Sequence, residues 1–348
     1  MKQYFGMSQT GNLKEAAQGV HAPGLLILMS NADQFEAHVT ELESLFPGVP
    51  SIGCIGMSYS TRVVEKGVGL VAFYDNVTAV ANVLEQASTM PVKYIERMEQ
   101  DLKNVHASSK DTVCIDLCTG NDACVLTTIH SILGKAGIPL VGGTGDVSVN
   151  GTVYEDADVY AFVKNNGGKV AVYKENLYKP MPGYRFIASN TDRSRYYVGE
   201  LNGKSSKQAY MDALHISESN IINQTFHNPL GKMNGQDICI ISLKEVSGNG
   251  LCCYRQVNDS DVLVLLEEQD YNEILDETLQ RIRRDFNHIS GVFSINCVFR
   301  YLLFSQEHHM EDYLKTMSTL GEHAGLIGFG EHYNQQFVNQ TMTCVVFE

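Results

Sequence analysis

The chain has 348 residues and a formal net charge of −14, which together argue against several classes of protein. The length suits two domains rather than one core, and 44% hydrophobic residues make disorder a poor explanation. The negative charge opposes binding to nucleic acid or anionic membranes. The apolar runs are too short to span a bilayer, and no apolar secretory segment opens the chain. The nine cysteines lie mostly in strand-like runs, so we expect a cytoplasmic protein with reduced thiols.

One pattern recurs three times: an apolar run, a helical stretch, a second apolar run and a glycine loop. The opening runs have the length of buried strands and lie at 25–28, 113–117 and 292–295. Helices are predicted at 34–46, 124–133 and 310–320. The first two loops match without a gap, pairing Gly48, Pro50, Gly53 and Gly56 with Gly137, Pro139, Gly142 and Gly145. A looser third loop lies at 325–330. Strand, helix and strand in this order predict parallel strands joined by right-handed crossovers.

A domain boundary is predicted at 179–183, where two prolines and a glycine fall close together. It divides the chain into domains 1–180 and 181–348. Beyond it, strands are predicted at 184–188, 237–243, 250–255 and 262–266, with helices at 205–214 and 271–286. The sequence therefore predicts an α/β fold, with two mixed α/β domains built from repeated strand-helix-strand units that carry glycine loops at strand ends.

The glycine loops have two interpretations that the sequence leaves open. They follow the end of a strand, which is where open α/β sheets bind ligands. Tight turns alone explain them equally well. They are not a dinucleotide fingerprint, because no Gly-x-Gly-x-x-Gly lies between a strand and the start of a helix.

Several spaced segments of the second half resemble the FIST C-terminal domain. They are Asn-Cys-Val-Phe-Arg at 296–300, Gly-Phe-Gly-Glu at 328–331 and Asn-Gln-Thr at 339–341, with 228–230 and 256–266 resembling the opening of that domain. The first half, with its loops at 53–56 and 141–146, is similar to the FIST N-terminal domain. The resemblance covers nearly the whole chain. One departure is His332, where the family more often has an aliphatic residue.

The resemblance implies a bacterial sensory protein that binds a small ligand, such as an amino acid or another small carboxylate. It also implies a stand-alone sensor that signals through a separate histidine kinase, chemoreceptor or cyclic-dinucleotide enzyme. One branch of the family binds haem and reports nitric oxide to a histidine kinase, so a haem sensor is an alternative. Eleven histidines leave the axial ligand open.

The predicted ligand site centres on Arg300, which follows an apolar strand and could clamp a carboxylate. Asn296 would add an amide contact, and Glu331 would receive the amino group of a zwitterion. The alternatives are an Arg300–Glu331 ion pair that joins two loops, and local capping by Asn339. The remaining predicted ligand-binding residues flank the same glycine loops: Asn339, Cys297, Gly328, Gly330, Gly143, Thr144 and Asp146.

Other constellations carry weaker signals. Asn121 and Asp122 suit capping of the helix that follows them. Cys118, Cys124 and His130 lack the paired spacing of tetrahedral zinc sites, as do the histidines at 308, 309 and 323. A second alternative function is a cysteine-dependent enzyme with Cys54 or Cys297 as nucleophile, although no Gly-x-Ser-x-Gly elbow or phosphate loop accompanies them.

Overall fold

The structure is a computed structural model that describes residues 1–120, 122–235 and 237–348. The three copies of the pattern are named repeat 1 (residues 25–74), repeat 2 (113–163) and repeat 3 (292–347). The chain begins with β1 (Lys2–Ser8) and α1 (Leu13–Ala16). Repeat 1 then forms β2 (Leu25–Ser30), α2 (Phe35–Leu45), β3 (Ser51–Ile55), β4 (Met57–Tyr59), β5 (Val63–Val64) and β6 (Val68–Tyr74), and β7 (Val77–Glu85) follows it. Repeat 2 and its flanks form α3 (Ile95–Asn104), β8 (Thr112–Cys118), α4 (Asp122–Ala136), β9 (Leu140–Thr144), β10 (Val147–Val149), β11 (Thr152–Tyr154), β12 (Ala157–Asn165) and β13 (Val170–Asn176).

The chain then leaves the repeats before returning to the third. The intervening segment forms β14 (Tyr178–Asp192), β15 (Tyr197–Leu201), β16 (Lys204–Ser205), α5 (Ser206–Leu214), α6 (Ile221–Gln224), β17 (Leu230–Asn234), β18 (Asp237–Ile241), β19 (Leu243–Ser247), β20 (Gly250–Cys253), β21 (Val262–Glu268) and α7 (Tyr271–Asp285). Repeat 3 forms β22 (Gly291–Cys297), α8 (Val298–Gln306), α9 (Met310–Met317), β23 (His323–Gly328), β24 (Glu331–Tyr333), β25 (Gln336–Val338) and β26 (Thr341–Phe347).

Each repeat builds the same three-stranded centre, which confirms the predicted α/β fold class and the parallel strand pairs. The parallel pairs are β2 with β3, β8 with β9, and β22 with β23. An antiparallel return strand lies beside the first member of each pair, namely β6, β12 and β26. The return is antiparallel because no helix separates it from the preceding hairpin, so no crossover carries the chain back to the other end of the sheet.

The repeats exchange hairpins in a cycle. The hairpin β4–β5 of repeat 1 pairs with β23 of repeat 3, and β10–β11 of repeat 2 pairs with β3 of repeat 1. The hairpin β24–β25 of repeat 3 pairs with β9 of repeat 2. Three six-stranded sheets result, and each contains strands from two repeats. The three repeats are therefore interlocked by backbone hydrogen bonds.

The two faces of each strand have different partners. Ile27, Ile115 and Ile295, one from each repeat, are fully buried in a single shared core. Neighbouring side chains on the opposite face, such as Leu26 and Leu28, pack under α2 instead. This alternation follows from the two-residue period of a strand. Because both faces are covered, the strands read as continuous apolar runs.

A fourth sheet of eight strands contains the segment after repeat 2. Residues 179–183, predicted as a boundary, lie inside the fifteen-residue strand β14, whose register shifts between Pro180 and Arg185. Strand pairing also links residues on either side of residue 180, because β13 pairs with β26. The division into domains 1–180 and 181–348 stays a prediction. Within the described ranges, no helix combines the length and hydropathy needed to cross a bilayer.

Candidate functional site

The repeated glycines include positions where a side chain from another repeat passes close to the backbone. In the strand register, Gly53 faces Ser148, Gly142 faces His332 and Gly325 faces Tyr59. A Cβ atom on Gly142 would lie 1.8 Å from Oδ1 of Asp116, and one on Gly325 would lie 2.2 Å from the ring of Tyr59. By contrast, Gly48 and Gly137 have φ values of 72° and 66°, which suit turns. Tight turns therefore account for Gly48 and Gly137 and close packing accounts for Gly142 and Gly325, while the ligand-binding interpretation of the loops stays a prediction.

At the junction of repeats 1 and 3, the incoming Tyr59 joins a buried polar network. Its hydroxyl lies 2.7 Å from Oγ of Ser294 and accepts a hydrogen bond of 2.8 Å from Nδ2 of Asn296. The same amide nitrogen donates to the hydroxyl of Tyr313 at 3.1 Å. Ser294 also contacts Nε2 of His323 at 2.7 Å. Burial lowers the pKa of His323 to about 3, so this imidazole is neutral.

Arg300 lies in the first turn of α8 rather than in a loop, and its side chain is 1% exposed. Its guanidinium pairs with Glu175 of β13, whose side chain is fully buried. The guanidinium carbon also lies 4.8 Å from the ring centre of Phe304 and 5.2 Å from that of Tyr313. Glu175 is therefore the carboxylate that Arg300 contacts, which corrects the predicted alternative of a pair with Glu331. Burial is the largest influence on the pKa of Arg300 and lowers it, but Glu175, Tyr313 and Tyr178 together outweigh burial and the pKa is raised.

Glu331 begins β24 and is fully buried beside the start of β26. Its Oε2 atom accepts hydrogen bonds from the Thr341 amide at 3.2 Å and from the Thr341 hydroxyl at 2.8 Å. Burial raises the pKa of Glu331 to about 8, although the bonds from Thr341 oppose the shift. At neutral pH the carboxyl group is therefore mostly protonated. A neutral carboxyl offers little to the ammonium group of a zwitterion, so the role predicted for Glu331 stays a prediction that this pKa does not favour.

Around Arg300 several polar atoms are buried without a hydrogen-bond partner among the described residues. They are Nε and Nη1 of Arg300, Oε2 of Glu175, Oδ1 of Asn296, Oε1 of Glu331 and Nδ2 of Asn339. A buried polar atom left unsatisfied costs about 1–3 kcal/mol, so such atoms are rare in native proteins. These atoms are donors and acceptors whose hydrogen-bonding capacity the described residues do not satisfy.

The other predicted residues divide between two places. Glu331 is paired in register with Gly143, the Thr144 amide donates to the Gly330 carbonyl at 3.2 Å, and the Phe329 amide donates to the Thr144 carbonyl at the same distance. Gly328 lies in the same contact, since a Cβ on it would be 3.5 Å from the Thr144 carbonyl. Asp146 is exposed, and its carbonyl accepts from Ile55 at the junction of repeats 1 and 2. The structure therefore places Asp146 at a different junction.

Cys54 and Cys297, predicted as nucleophiles, are both buried. Burial raises the pKa of Cys54 to about 12 and that of Cys297 well above its usual value, with the charge of Glu331 adding to the second effect. Because the thiolate is the nucleophile, both are poorly suited to that role. Asn121 lies outside the described residues, as do the side chains of Asp122 and Cys124, so the structure does not bear on the predicted cap or the Cys118–Cys124–His130 set.

Haem would need an imidazole free to act as axial ligand. Three buried histidines already contact protein groups: His38 lies 2.7 Å from Oγ of Ser30, His323 contacts Ser294, and His332 lies 2.6 Å from Asp116. Each of these imidazoles therefore takes part in a buried polar contact with another residue. The function proposed below does not involve haem.

The raised pKa of Glu331 predicts a specific dependence of stability on pH. The carboxyl ionises near 4.5 in the unfolded chain and near 8 in the folded one, so the folded state binds more protons between these values. The free energy of unfolding should therefore fall as pH rises through this range and level off above it. His323 has the opposite effect on the free energy of unfolding at lower pH. Because its pKa is depressed in the folded state, its contribution rises as pH rises.

Glu331→Gln isolates the effect, since glutamine keeps an acceptor for Thr341 but does not titrate. Urea unfolding of both proteins from pH 5 to pH 9 should give a difference, wild type minus variant, that declines towards pH 8. If the difference in unfolding free energy between the two proteins does not change with pH, Glu331 is ionised in the folded protein throughout this range and the prediction is wrong.

The chain matches the model of the FIST N domain over residues 24–204 and that of the FIST C domain over residues 207–334. It therefore belongs to the FIST family, whose domains act in sensing and signal transduction. No curated protein matches the chain. Among solved structures, the crystal structure of a chorismatase is similar over 99% of this chain and 98% of that one, with 10% sequence identity and a TM-score of 0.36. That likeness is too weak to carry an argument about activity or ligand.

Proposed function

We propose that this protein senses a small polar ligand, an amino acid or another small carboxylate, which binds beside Arg300 in repeat 3. The observation that carries the proposal is the set of buried, unpartnered polar atoms around Arg300. Nε and Nη1 of Arg300 would donate to the ligand carboxylate. Oε2 of Glu175 and Oδ1 of Asn296 would accept from its amino group. Glu175 thus takes the role that sequence reasoning gave to Glu331.

We propose that the ligand enters from a surface cavity of about 540 Å³ between β13 and α7, on the outer side of the fully buried Glu175 side chain. Its lining includes Glu175 together with Lys174, Thr278 and Arg281. The Arg281 guanidinium stacks over Tyr173 at 5.3 Å from the ring centre and donates to the Lys174 carbonyl. Basic side chains at this mouth would draw in a carboxylate despite the negative net charge of the chain.

Ligand binding there would connect elements of all three repeats. Arg300 belongs to α8, Glu175 to β13 after repeat 2, and Asn296 hydrogen-bonds Tyr59 of repeat 1. A ligand that contacts these groups differently in two arrangements of the repeats would shift the balance between them. We propose that a separate histidine kinase, chemoreceptor or cyclic-dinucleotide enzyme reads this change. The free thiols among the described cysteines support a reducing, cytoplasmic location.

The proposal is tested by thermal shift with a panel of amino acids and small carboxylates. Arg300→Lys keeps the charge beside Glu175 but loses the planar fork, so it should weaken the best ligand about 10- to 100-fold, or roughly 1.4–2.8 kcal/mol. Arg281→Lys, at the mouth of the cavity, is the matched control and should bind nearly as tightly as wild type. Equal binding by wild type and Arg300→Lys would remove Arg300 from the site, and no shift with any member of the panel would refute the ligand class.

A further inference from the structure

The junction of repeats 2 and 3 carries a second buried polar group, formed by Cys118, His332 and Asp116. Nδ1 of His332 lies 2.6 Å from Oδ2 of Asp116, and Nε2 lies 3.8 Å from Sγ of Cys118. All three residues are fully buried. A thiol, an imidazole and a carboxylate in this order are the arrangement that activates a cysteine nucleophile.

The interlocked fold explains why these three meet. Asp116 and Cys118 are alternate residues of β8, so they project from the same face. Gly142 of β9 lies beside Asp116 without a Cβ, and His332 of the exchanged hairpin lies opposite that glycine. The same geometry recurs at the junction of repeats 1 and 3, where Tyr59 crosses Gly325 to contact Ser294 and Asn296. The cysteine trio is thus one of two polar groups at equivalent positions.

The contacts of the two ring nitrogens of His332 favour one tautomer of the imidazole. Asp116 accepts a hydrogen bond from Nδ1, so Nε2 is the nitrogen that can take the proton of the Cys118 thiol. A second buried carboxyl group, Asp158 of β12, stands opposite Cys118 in the sheet register. Both carboxylates act on Cys114 as well, where they add to the effect of burial in raising the pKa of that thiol.

The position of Cys118 favours a small reactant. Cys118 ends β8, and the next two residues, Thr119 and Gly120, are half-buried, so the thiol lies just beneath the surface. The paired residue of β9, Thr144, is also half-buried. Full burial of the trio excludes bulky substrates, so a reactant at Cys118 must be small.

We propose that Cys118, His332 and Asp116 form a redox-active thiol site for a small hydroperoxide. The thiol passes its proton to Nε2 of His332, and the thiolate sulfur attacks one peroxide oxygen. A sulfur–oxygen bond forms as the oxygen–oxygen bond breaks, and the departing hydroxide takes the proton from His332 to become water. Cys118 is oxidised to a sulfenic acid and the peroxide is reduced. This site is separate from the ligand site at Arg300, so either proposal can fail alone.

The test uses hydrogen peroxide, with dimedone to trap sulfenic acid and peptide mass spectrometry to locate it. In the wild-type protein Cys118 should be trapped well before Cys54 and Cys344, both of which have a pKa raised to about 12 by burial. His332→Gln should slow trapping at Cys118 about 10²-fold, through loss of the base and proton donor. His38→Gln is the matched control, because His38 is also buried and contacts Ser30, the residue equivalent to Cys118 in repeat 1.

Trapping at Cys118 no faster than at Cys54 in the wild-type protein would overturn the proposal, and this comparison needs no variant. An unchanged rate in folded His332→Gln would also overturn it. If that variant does not fold, Asp116→Asn replaces it, because it keeps the imidazole but removes the carboxylate that orients the ring, and a rate equal to wild type would refute the role of the trio.

Discussion

Arg300→Ala is expected to lower the free energy of unfolding by about 3–5 kcal/mol, because it leaves the buried carboxylate of Glu175 without its cation. The loss should appear as a reduced urea midpoint at neutral pH with little change in the slope of the transition. Arg284→Ala, which alters an exposed arginine of α7, is the control and should change stability by less than about 0.5 kcal/mol.

The double variant Arg300→Met/Glu175→Gln separates a lost charge pair from a lost side chain. Removing both charges should recover much of the stability that Arg300→Ala loses, since no buried charge is then unpaired. If the double variant is as unstable as Arg300→Ala, the cost lies in packing against Phe304 and Tyr313. If Arg300→Ala alone is as stable as wild type, the buried Arg300–Glu175 pair does not stabilise the fold and this prediction is wrong.

Gly142→Ala is expected to cost more than about 3 kcal/mol. The added Cβ would lie 1.8 Å from Oδ1 and 2.4 Å from the carbonyl oxygen of Asp116, so the paired strands β8 and β9 must separate. The same change would displace Asp116 from His332. Thermal and urea unfolding measure the loss of stability, and a lowered rate of Cys118 oxidation would report the displaced carboxylate.

Gly328→Ala is the matched control for this effect. It lies in β23, the strand of repeat 3 that corresponds to β9, but its Cβ would be 3.5 Å from the nearest atom, which is ordinary contact. Its stability should stay within about 1 kcal/mol of wild type. Equal losses in the two variants would show that the loops are sensitive to alanine in general and that close approach at Gly142 is not the cause.

The elements of the repeats were predictable because their signals are local. Residues 25–28, 113–117 and 292–295 are short apolar runs, and all three lie in buried strands. The exchange of hairpins was not predictable, because it pairs residues that are far apart in the sequence, such as Glu331 and Gly143. Periodicity indicates that a segment is a strand, but it does not indicate which strand it joins.

Part of the site was also predictable from local signals in the sequence. Asn296, Arg300 and Glu331 could be chosen because they lie at or close to strand ends, and each has buried polar atoms without a partner among the described residues. Glu175 and Tyr59 were missed because their role depends on contacts 125 and 235 residues away along the chain. The available signal was a charged residue near the end of a largely apolar strand, as Glu175 is in β13.

The central claim is that the buried polar atoms beside Arg300 bind the sensed ligand. A crystal structure of the protein with the strongest ligand from the thermal-shift panel tests it most directly. We predict density for the ligand carboxylate within hydrogen-bond distance of Nε or Nη1 of Arg300, and for its polar end beside Asn296 or Glu175. Ligand density at another place, with only water molecules beside Arg300, would contradict the account.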